Sequence, residues 1–212
     1  MPMYYPIKQF PDDERSRTIK GIQRLRRQIA REIPPRTAKQ SLLLATWNLR
    51  DFDSNKFGHG PRISESFHYI AEVLSAFDII AVQEINDDLT PWEKVMRLLG
   101  PSWKFIATDL TEGRSGNGER IAIVYDSNKV WFKNIAGEIV LPVGQKIGNN
   151  RQFARTPFLV YFQSSWFKFA LCSVHIYYGK TSGAAYRRRV EEIDRIAKFI
   201  AKRADKEDGN MI

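Results

Sequence analysis

The sequence predicts an α/β fold, and two observations carry this prediction. An apolar run at 42–48, a helical pattern at 62–77 and a second apolar run at 78–85 follow one another along the chain. This order is typical of a crossover unit, in which a helix connects two parallel neighbours of one sheet. Further apolar runs of strand length follow from residue 119 onward, and an amphipathic helical pattern at 185–204 comes last.

The first helix is predicted within residues 12–35. Apolar side chains recur there at helical spacing, arginines occupy other positions around the helix, and Pro34-Pro35 ends it. We interpret residues 1–40 as a basic N-terminal helical arm and 41–212 as the main domain. The arm could contact nucleic acid, or it could pack a narrow apolar stripe on the domain and leave a solvated basic face; the pattern favours packing. The stripe consists of Ile19, Ile22, Leu25 and Ile29.

The other elements follow from the same two periodicities. Residues 91–100 have a helical pattern, 104–108 are predicted to form a strand, and the glycine-rich stretch 113–118 is a loop. Later strands are predicted at 119–126, 130–141, 156–163 and 167–176. The last helix is expected to turn one apolar face inward. That face consists of Val190, Ile193, Ile196, Ala197 and Ile200.

The composition is that of a basic, soluble globular chain. Lys and Arg number 33 against 24 Asp and Glu, so the net charge is +9 among 212 residues. This excess favours a polyanionic partner through long-range attraction and counterion release, although it could also be no more than a basic surface. The single cysteine, Cys172, cannot form an internal disulfide. No apolar run approaches the roughly 20 residues of a membrane span, and the N-terminus lacks the apolar core of a signal peptide, so a cytoplasmic location is expected.

Polar side chains stand at the ends of the predicted strands. Asn48 closes the first strand, Gln83-Glu84 closes the second, Glu119 opens a later one, and His175 lies near the end of the last. Strands of one sheet bring their ends together, so these residues could line a common rim. Carboxylate and amide oxygens there suit Mg²⁺, which keeps several waters and takes one or two carboxylates together with substrate phosphate. Alternatively, Asn48 and Glu84 only satisfy backbone groups of the following loops.

These polar residues, together with Arg155, lie within five longer segments: TWNLRDF (46–52), FDIIAVQEI (77–85), GERIAIVYD (118–126), FARTPFLVYF (153–162) and CSVHI (172–176). In this order the segments resemble the endonuclease/exonuclease/phosphatase superfamily, which includes deoxyribonucleases, abasic-site endonucleases, sphingomyelinases and inositol-polyphosphate phosphatases. The resemblance covers residues 41–204. It implies a deoxyribonuclease-I-like fold, a layered sandwich of two mixed β-sheets flanked by helices, of which 41–212 would be the N-terminal portion.

The resemblance also implies a role for five residues. Glu84 corresponds to the family's metal-ligand glutamate, and Asn48 to the asparagine that helps to hold the metal and the scissile phosphate. His175 corresponds to an acid-base histidine of the deoxyribonuclease branch, and Glu119 to the carboxylate that orients it. Arg155 corresponds to an arginine that contacts substrate phosphate. The residue types suit this chemistry, because a metal neutralises charge on a phosphoryl oxygen, an imidazole can protonate the leaving oxygen, and a guanidinium offers phosphate a fork of donors.

Three of these residues could instead have a purely structural role. His175 could be a satisfied core histidine, Arg155 could cap a turn or pair at the surface, and Glu119 could pair with its arginine neighbour in the sequence. No functional role is predicted for His59, in a glycine-rich loop, or for His68, in a helix.

One departure from the family pattern bears on activity. Members of the family continue with a strand ending in GDFN and carry an SDH near the C-terminus, and neither motif is present in a sequence that stops at DGNMI (208–212), where a further strand begins. The missing motifs would supply an Asp-His pair that activates water. We therefore expect residues 1–212 alone to be impaired or inactive, and to aggregate, to oligomerise or to need a C-terminal half from another polypeptide.

The function predicted from the sequence is a Mg²⁺-dependent phosphodiesterase, with an endonuclease acting on DNA as the first hypothesis. Mn²⁺ and Ca²⁺ are the alternative cofactors. The basic charge and the deoxyribonuclease-like FART and GER segments favour nucleic acid as the partner. Two other hypotheses stay open: hydrolysis of a smaller phosphoester, such as an inositol phosphate or a phospholipid headgroup, and a non-catalytic relative that binds nucleic acid or protein.

Overall fold

The structure is a computed structural model of the chain. It describes residues 1–38, 40–58, 60–110, 118–148, 151–177, 180–205 and 210–212. The chain divides into two compact units: unit 1 comprises residues 1–106 and 122–130, and unit 2 comprises 107–121 and 131–212. His59 and, except for Gly118, the predicted loop at 113–118 lie outside the described residues.

The secondary structure of the described residues follows the order that the sequence patterns predict. The helices are α1 Asp12–Glu32, α2 Ser64–Leu74, α3 Thr90–Leu99 and α4 Gly183–Ala204. The strands are β1 Leu44–Asn48, β2 Ile79–Ile85, β3 Trp103–Ala107, β4 Arg120–Asp126, β5 Trp131–Glu138, β6 Phe158–Ser164, β7 Phe167–Ser173 and β8 Asn210–Met211. A short 3-10 helix, Tyr5–Gln9, precedes α1 and was not predicted. None of the helices in the described ranges is both long and apolar enough to cross a membrane.

The first sheet has four strands in the order β1-β2-β4-β3, and most of its residues belong to unit 1. β1 and β2 are parallel neighbours, with Asn48 opposite Gln83, and α2 lies between them in the sequence, which confirms the predicted crossover unit. Ile79, Ile80 and Val82 of β2 are at most 1% exposed. This burial explains why the sequence of the strand is a continuous apolar run. A strand that is covered on both faces has no solvent-exposed face, so polar residues do not alternate with apolar ones.

The second sheet belongs to unit 2 and has the order β5-β6-β7-β8. β5, β6 and β7 are antiparallel neighbours, whereas β8 pairs with β7 in parallel, so the sheet is mixed. The strand predicted to begin near residue 210 is confirmed, because the Ile212 N–H donates to the Ala170 carbonyl at 2.9 Å. Two mixed sheets together with the helices confirm the predicted α/β fold class.

Helix α1 is joined to α2 by ion pairs. Arg17 Nε donates to Glu65 Oε2 at 2.9 Å, and Arg26 Nε donates to Glu72 Oε1 at 2.7 Å. Of the predicted apolar stripe, Ile22 alone is fully buried. The helix therefore packs within unit 1, as its pattern favours, but part of its basic face is bound to acids of α2 instead of being solvated.

Helix α4 turns a different set of side chains inward from the predicted one. Ile196 is buried as predicted, but Val190 and Ile193 are 46% and 50% exposed, and Ala197 is exposed as well. The inward face instead contains Glu192, which is 1% exposed. A buried carboxylate must be hydrogen-bonded, and its bonds to the backbone of two loops hold the helix in this rotation. The prediction for Val190, Ile193 and Ala197 was therefore wrong.

Candidate active site

Asn48 and Glu84 lie at neighbouring strand ends in unit 1 and are hydrogen-bonded to each other. Asn48 closes β1 and Glu84 is the penultimate residue of β2, so parallel pairing places both at the same end of the sheet. Asn48 Nδ2 donates to Glu84 Oε1 at 2.7 Å, and the backbone N–H of Asp51 donates to Glu84 Oε2 at 2.6 Å. The structure thus brings together the two residues predicted for a metal site.

The backbone around this pair is strained. Glu84 has a φ of 64°, and Arg50 and Asp51 each have a φ of 52°. This left-handed region costs a non-glycine residue about 1–2 kcal/mol, and such outliers cluster at functional sites. The turn at Arg50 and Asp51 brings the Asp51 N–H to the Glu84 carboxylate. Sequence reasoning missed Asp51 because its contribution is a backbone N–H, which no side-chain pattern reveals.

The pair suits a divalent cation. Glu84 supplies the carboxylate oxygens that Mg²⁺ and Ca²⁺ prefer, and the two N–H donors hold this carboxylate in one orientation, as the outer contacts of a metal ligand do. Asn48 Oδ1 accepts a hydrogen bond from the Arg50 N–H at 2.7 Å. Asn48 therefore links Glu84 to the following loop, and its contacts are those of an orienting group. Its direct ligation of a metal stays a prediction.

Glu119, Arg155 and His175 form a second group, in unit 2. Glu119 directly precedes β4 and is 3% exposed, and its Oε2 accepts a hydrogen bond from Arg155 Nε at 2.8 Å. His175 lies two residues beyond β7, and its Nδ1 is 3.7 Å from the same Glu119 oxygen. That distance is longer than a hydrogen bond. One buried carboxylate thus faces both a guanidinium and an imidazole, and the three residues predicted for catalysis are brought together.

The burial of Arg155 and His175 helps to distinguish a functional role from a purely structural one. The Arg155 side chain is only 10% exposed and is paired with Glu119, so it is not a surface residue. The His175 side chain is 15% exposed. His68, for which no role is predicted, is 2% exposed, and burial lowers its pKa. His68 is therefore a neutral core imidazole near pH 7.

Glu192, which the sequence analysis missed, connects α4 to the two loops that carry Arg155 and His175. Its Oε1 accepts from the backbone N–H of Ala154, and its Oε2 accepts from that of Tyr177, each at 3.0 Å. Ala154 precedes Arg155, and Tyr177 is two residues beyond His175. Glu192 is therefore a positioning residue for both side chains. It follows another glutamate, Glu191, in a helix rich in charged residues, so no pattern distinguishes it from a solvated glutamate.

Replacing Glu192 by glutamine should lower the free energy of unfolding by about 2–3 kcal/mol, because the amide can accept from only one of the two backbone N–H groups and turns a donor toward the other. Urea unfolding gives the value. Glu191→Gln is the matched control: Glu191 is partly exposed, pairs with Arg195 at 3.4 Å and accepts from a single backbone N–H, that of Gly148 at 3.1 Å. An amide oxygen can still accept that bond, so the loss should stay below about 1 kcal/mol. Equal losses in the two variants would contradict the positioning role of Glu192.

No family model matches the sequence, and neither does any curated protein. Solved structures do match. An endonuclease/exonuclease/phosphatase family protein from Bacteroides thetaiotaomicron has a TM-score of 0.60 at 18% identity, over 81% of this chain and 60% of that one. TDP2 from D. rerio, solved in complex with a single-strand DNA product, has a TM-score of 0.51 at 15% identity, over 74% and 54%. The human Nocturnin catalytic domain with a bound sulfate anion has a TM-score of 0.50 at 14% identity, over 76% and 60%.

At these identities the similarity concerns the fold. The chain spans 60% of the Bacteroides protein and 54% of TDP2. The Bacteroides protein belongs to the family that the five sequence segments resemble, so the resemblance is confirmed at the level of the fold. We conclude that this chain has the fold of the endonuclease/exonuclease/phosphatase proteins.

Proposed function

We propose that this protein is a Mg²⁺-dependent phosphodiesterase that hydrolyses the backbone of DNA. The observation that carries the proposal is the Asn48–Glu84 pair, a carboxylate held by an amide and by the Asp51 N–H at the exits of two parallel strands. A nucleic-acid substrate is supported by the net charge of +9. It is also supported by the similarity to TDP2, which was solved with a single-strand DNA product.

In this proposal Glu84 holds the cation and Asn48 orients Glu84. A divalent cation at Glu84 would neutralise the negative charge that develops on a phosphoryl oxygen. Asn48 Nδ2 carries two N–H donors. One of them is donated to Glu84, and the other suits an oxygen of the scissile phosphate. Mn²⁺ and Ca²⁺ have the same preference for oxygen ligands and are the alternatives to Mg²⁺.

Arg155, Glu119 and His175 serve the same reaction in this proposal. The Nε of Arg155 is bound to Glu119, so the two Nη nitrogens are the donors for substrate phosphate, and their charge persists at any neutral pH. The Nδ1 of His175 faces Glu119, so Nε2 is the atom that would hold the proton for the leaving oxygen. Glu119 orients both side chains from its buried position.

The proposal is tested with the full-length natural polypeptide, supercoiled plasmid and Mg²⁺. We expect nicking that is abolished by EDTA and restored by excess Mg²⁺. DNA binding measured in EDTA should weaken steeply with salt, because a polyanion releases counterions. Turnover of an inositol phosphate or a phospholipid headgroup without cleavage of DNA would overturn the DNA assignment. DNA binding with no turnover of any phosphoester would overturn the assignment as an enzyme.

The roles of His175 and Arg155 should separate in kinetics. His175→Ala should lower the single-turnover rate by about 10²- to 10⁴-fold while leaving the Kd for substrate within about twofold. Arg155→Lys should raise the Kd, because lysine lacks the planar fork that can contact Glu119 and a phosphate together. Thermal melting of each variant is the control. If His175→Ala lost activity only in proportion to its unfolded fraction, the residue would be a core histidine and not a catalyst.

A further inference from the structure

A cleft of about 440 Å³ lies in unit 1, separate from the Asn48–Glu84 pair. Helices α1 and α2 and the end of β1 form its walls, which combine aromatic, aliphatic and cationic side chains. They include Trp47, Tyr69, Arg24 and Arg62.

The aromatic surface of the cleft comes from Trp47 and Tyr69. Trp47 is half-buried on β1, directly before Asn48. Tyr69 lies against Gly21 of α1 so closely that a Cβ at residue 21 would be 2.1 Å from the Tyr69 hydroxyl oxygen. The absence of a side chain at Gly21 therefore allows α1 to hold the Tyr69 ring in place. Partly exposed rings of this kind are platforms for nucleobases, and each stacked base contributes about 1–3 kcal/mol.

The arginines of α1 differ in what they bind. Arg17 and Arg26 are hydrogen-bonded to acids of α2, whereas Arg24 lines the cleft and makes no ion pair with any residue that the structure describes. Arg24 and Tyr69 line the same cleft, so the cleft combines a cation with an aromatic ring. A cation beside an aromatic ring suits a ligand that carries an anionic group next to a flat ring.

Arg62 connects the cleft to the loop after Asn48. One of its Nη nitrogens donates to the Leu49 carbonyl at 2.6 Å, and Leu49 directly follows Asn48. Its Nε has no acceptor within the described ranges. That Nε is buried, so the donors that Arg62 can offer an anionic ligand are the Nη hydrogens beyond the one bound to Leu49. A ligand that extends from the cleft would meet the loop that begins at Asn48.

We propose that this cleft binds one unstacked nucleotide of single-stranded nucleic acid, with its base against Trp47 and Tyr69 and its phosphate on Arg24 and Arg62. The inference rests on the proposed function, because it makes the cleft a subsite for a strand that is cleaved nearby. Paired and stacked bases of a duplex cannot lie flat on the rings of the cleft, so the strand must be single at this point.

The contribution of the base is tested by fluorescence anisotropy of short labelled oligonucleotides in EDTA, where no turnover occurs. The protein should bind a single strand more tightly than a duplex of the same length. Replacing the bases of the single strand by abasic sugar-phosphate units should weaken binding about 5- to 100-fold. In Trp47→Leu the ratio of the two Kd values, that of the abasic strand to that of the intact strand, should fall toward one. Thermal melting checks that the variant is folded. A ratio that is the same in Trp47→Leu and in the natural protein would overturn the proposal.

The contribution of the phosphate is tested with two variants of α1 that change the charge equally. Arg24→Gln should weaken oligonucleotide binding about tenfold at low salt, and it should reduce the slope of log K against log salt by about 0.7, the value for one phosphate contact on a single strand. Arg27→Gln is the matched control, since Arg27 is exposed on the same helix but does not line the cleft. Equal effects of the two substitutions would overturn the proposal.

The subsite and the proposed function fail in different ways. If the natural protein cleaves DNA with Mg²⁺, but Arg24→Gln and Trp47→Leu bind oligonucleotides as tightly as it does, the subsite alone would be overturned. Base- and Arg24-dependent binding by a full-length protein that cleaves no phosphodiester would overturn the proposed function alone.

Discussion

Replacing Glu84 by glutamine should lower the rate of Mg²⁺-dependent phosphodiester hydrolysis by about 10²- to 10⁴-fold, or roughly 3–5 kcal/mol of transition-state stabilisation. The substitution keeps the shape of the side chain but removes its negative charge. It also places an amide NH₂ against Asn48 Nδ2 or the Asp51 N–H, which are both donors. The side chain would therefore lose its charge and its fixed orientation together.

This loss is measured with the full-length polypeptide over a range of Mg²⁺ concentrations, and calorimetric titration of Mg²⁺ gives a second readout that needs no turnover. Glu93→Gln is the control, because Glu93 is an exposed carboxylate of α3 that pairs with Arg97 at 3.6 Å. Its rate should stay within about twofold of the natural protein, as expected for the loss of a surface ion pair. Unchanged Mg²⁺-dependent rates in Glu84→Gln would show that Glu84 is not a metal ligand.

Replacing Asp78 by asparagine should lower the free energy of unfolding by about 3–5 kcal/mol. Asp78 is 0% exposed and joins three segments of unit 1. Its Oδ1 accepts from Arg36 Nε at 2.6 Å, and its Oδ2 accepts from Lys129 Nζ at 2.6 Å and from the Leu43 N–H at 2.8 Å. The Lys129 side chain is only 9% exposed, so the substitution leaves a buried ammonium without its counter-charge.

The size of this effect is checked by urea and thermal unfolding. A loss of this size should lower the Tm by roughly 6–20 °C in a chain of this length. Asp194→Asn makes the same chemical change at a pair whose Lys198 and Asp194 side chains are 69% and 44% exposed, and it should cost less than about 0.5 kcal/mol. Similar losses in Asp78→Asn and Asp194→Asn would contradict the structural role given to the buried cluster.

Much of the candidate site could be predicted, because its side chains stand where apolar runs end. Asn48 and Glu84 close two such runs, and the parallel pairing expected of a crossover unit then brings them together. Arg155 was harder to interpret. Its pairing with Glu119 depends on segments 36 residues apart in sequence, and no periodicity relates them. Its burial distinguishes it from a surface arginine, and burial is a property of the folded chain.

The sequence by itself determined the order and type of the elements, because burying an apolar face requires a period of 2 in strands and 3.6 in helices, and that period is visible locally. Tertiary structure decided which polar groups meet. The rotation of α4 is the clearest case: its apolar pattern predicts Val190 and Ile193 inward, but Glu192 is buried because backbone N–H groups of two distant loops bind it. A helical pattern spreads apolar residues over a broad arc, and several rotations bury similar apolar area. The hydrogen bonds that select one of them come from residues far away in the chain, so they appear only when the chain has folded.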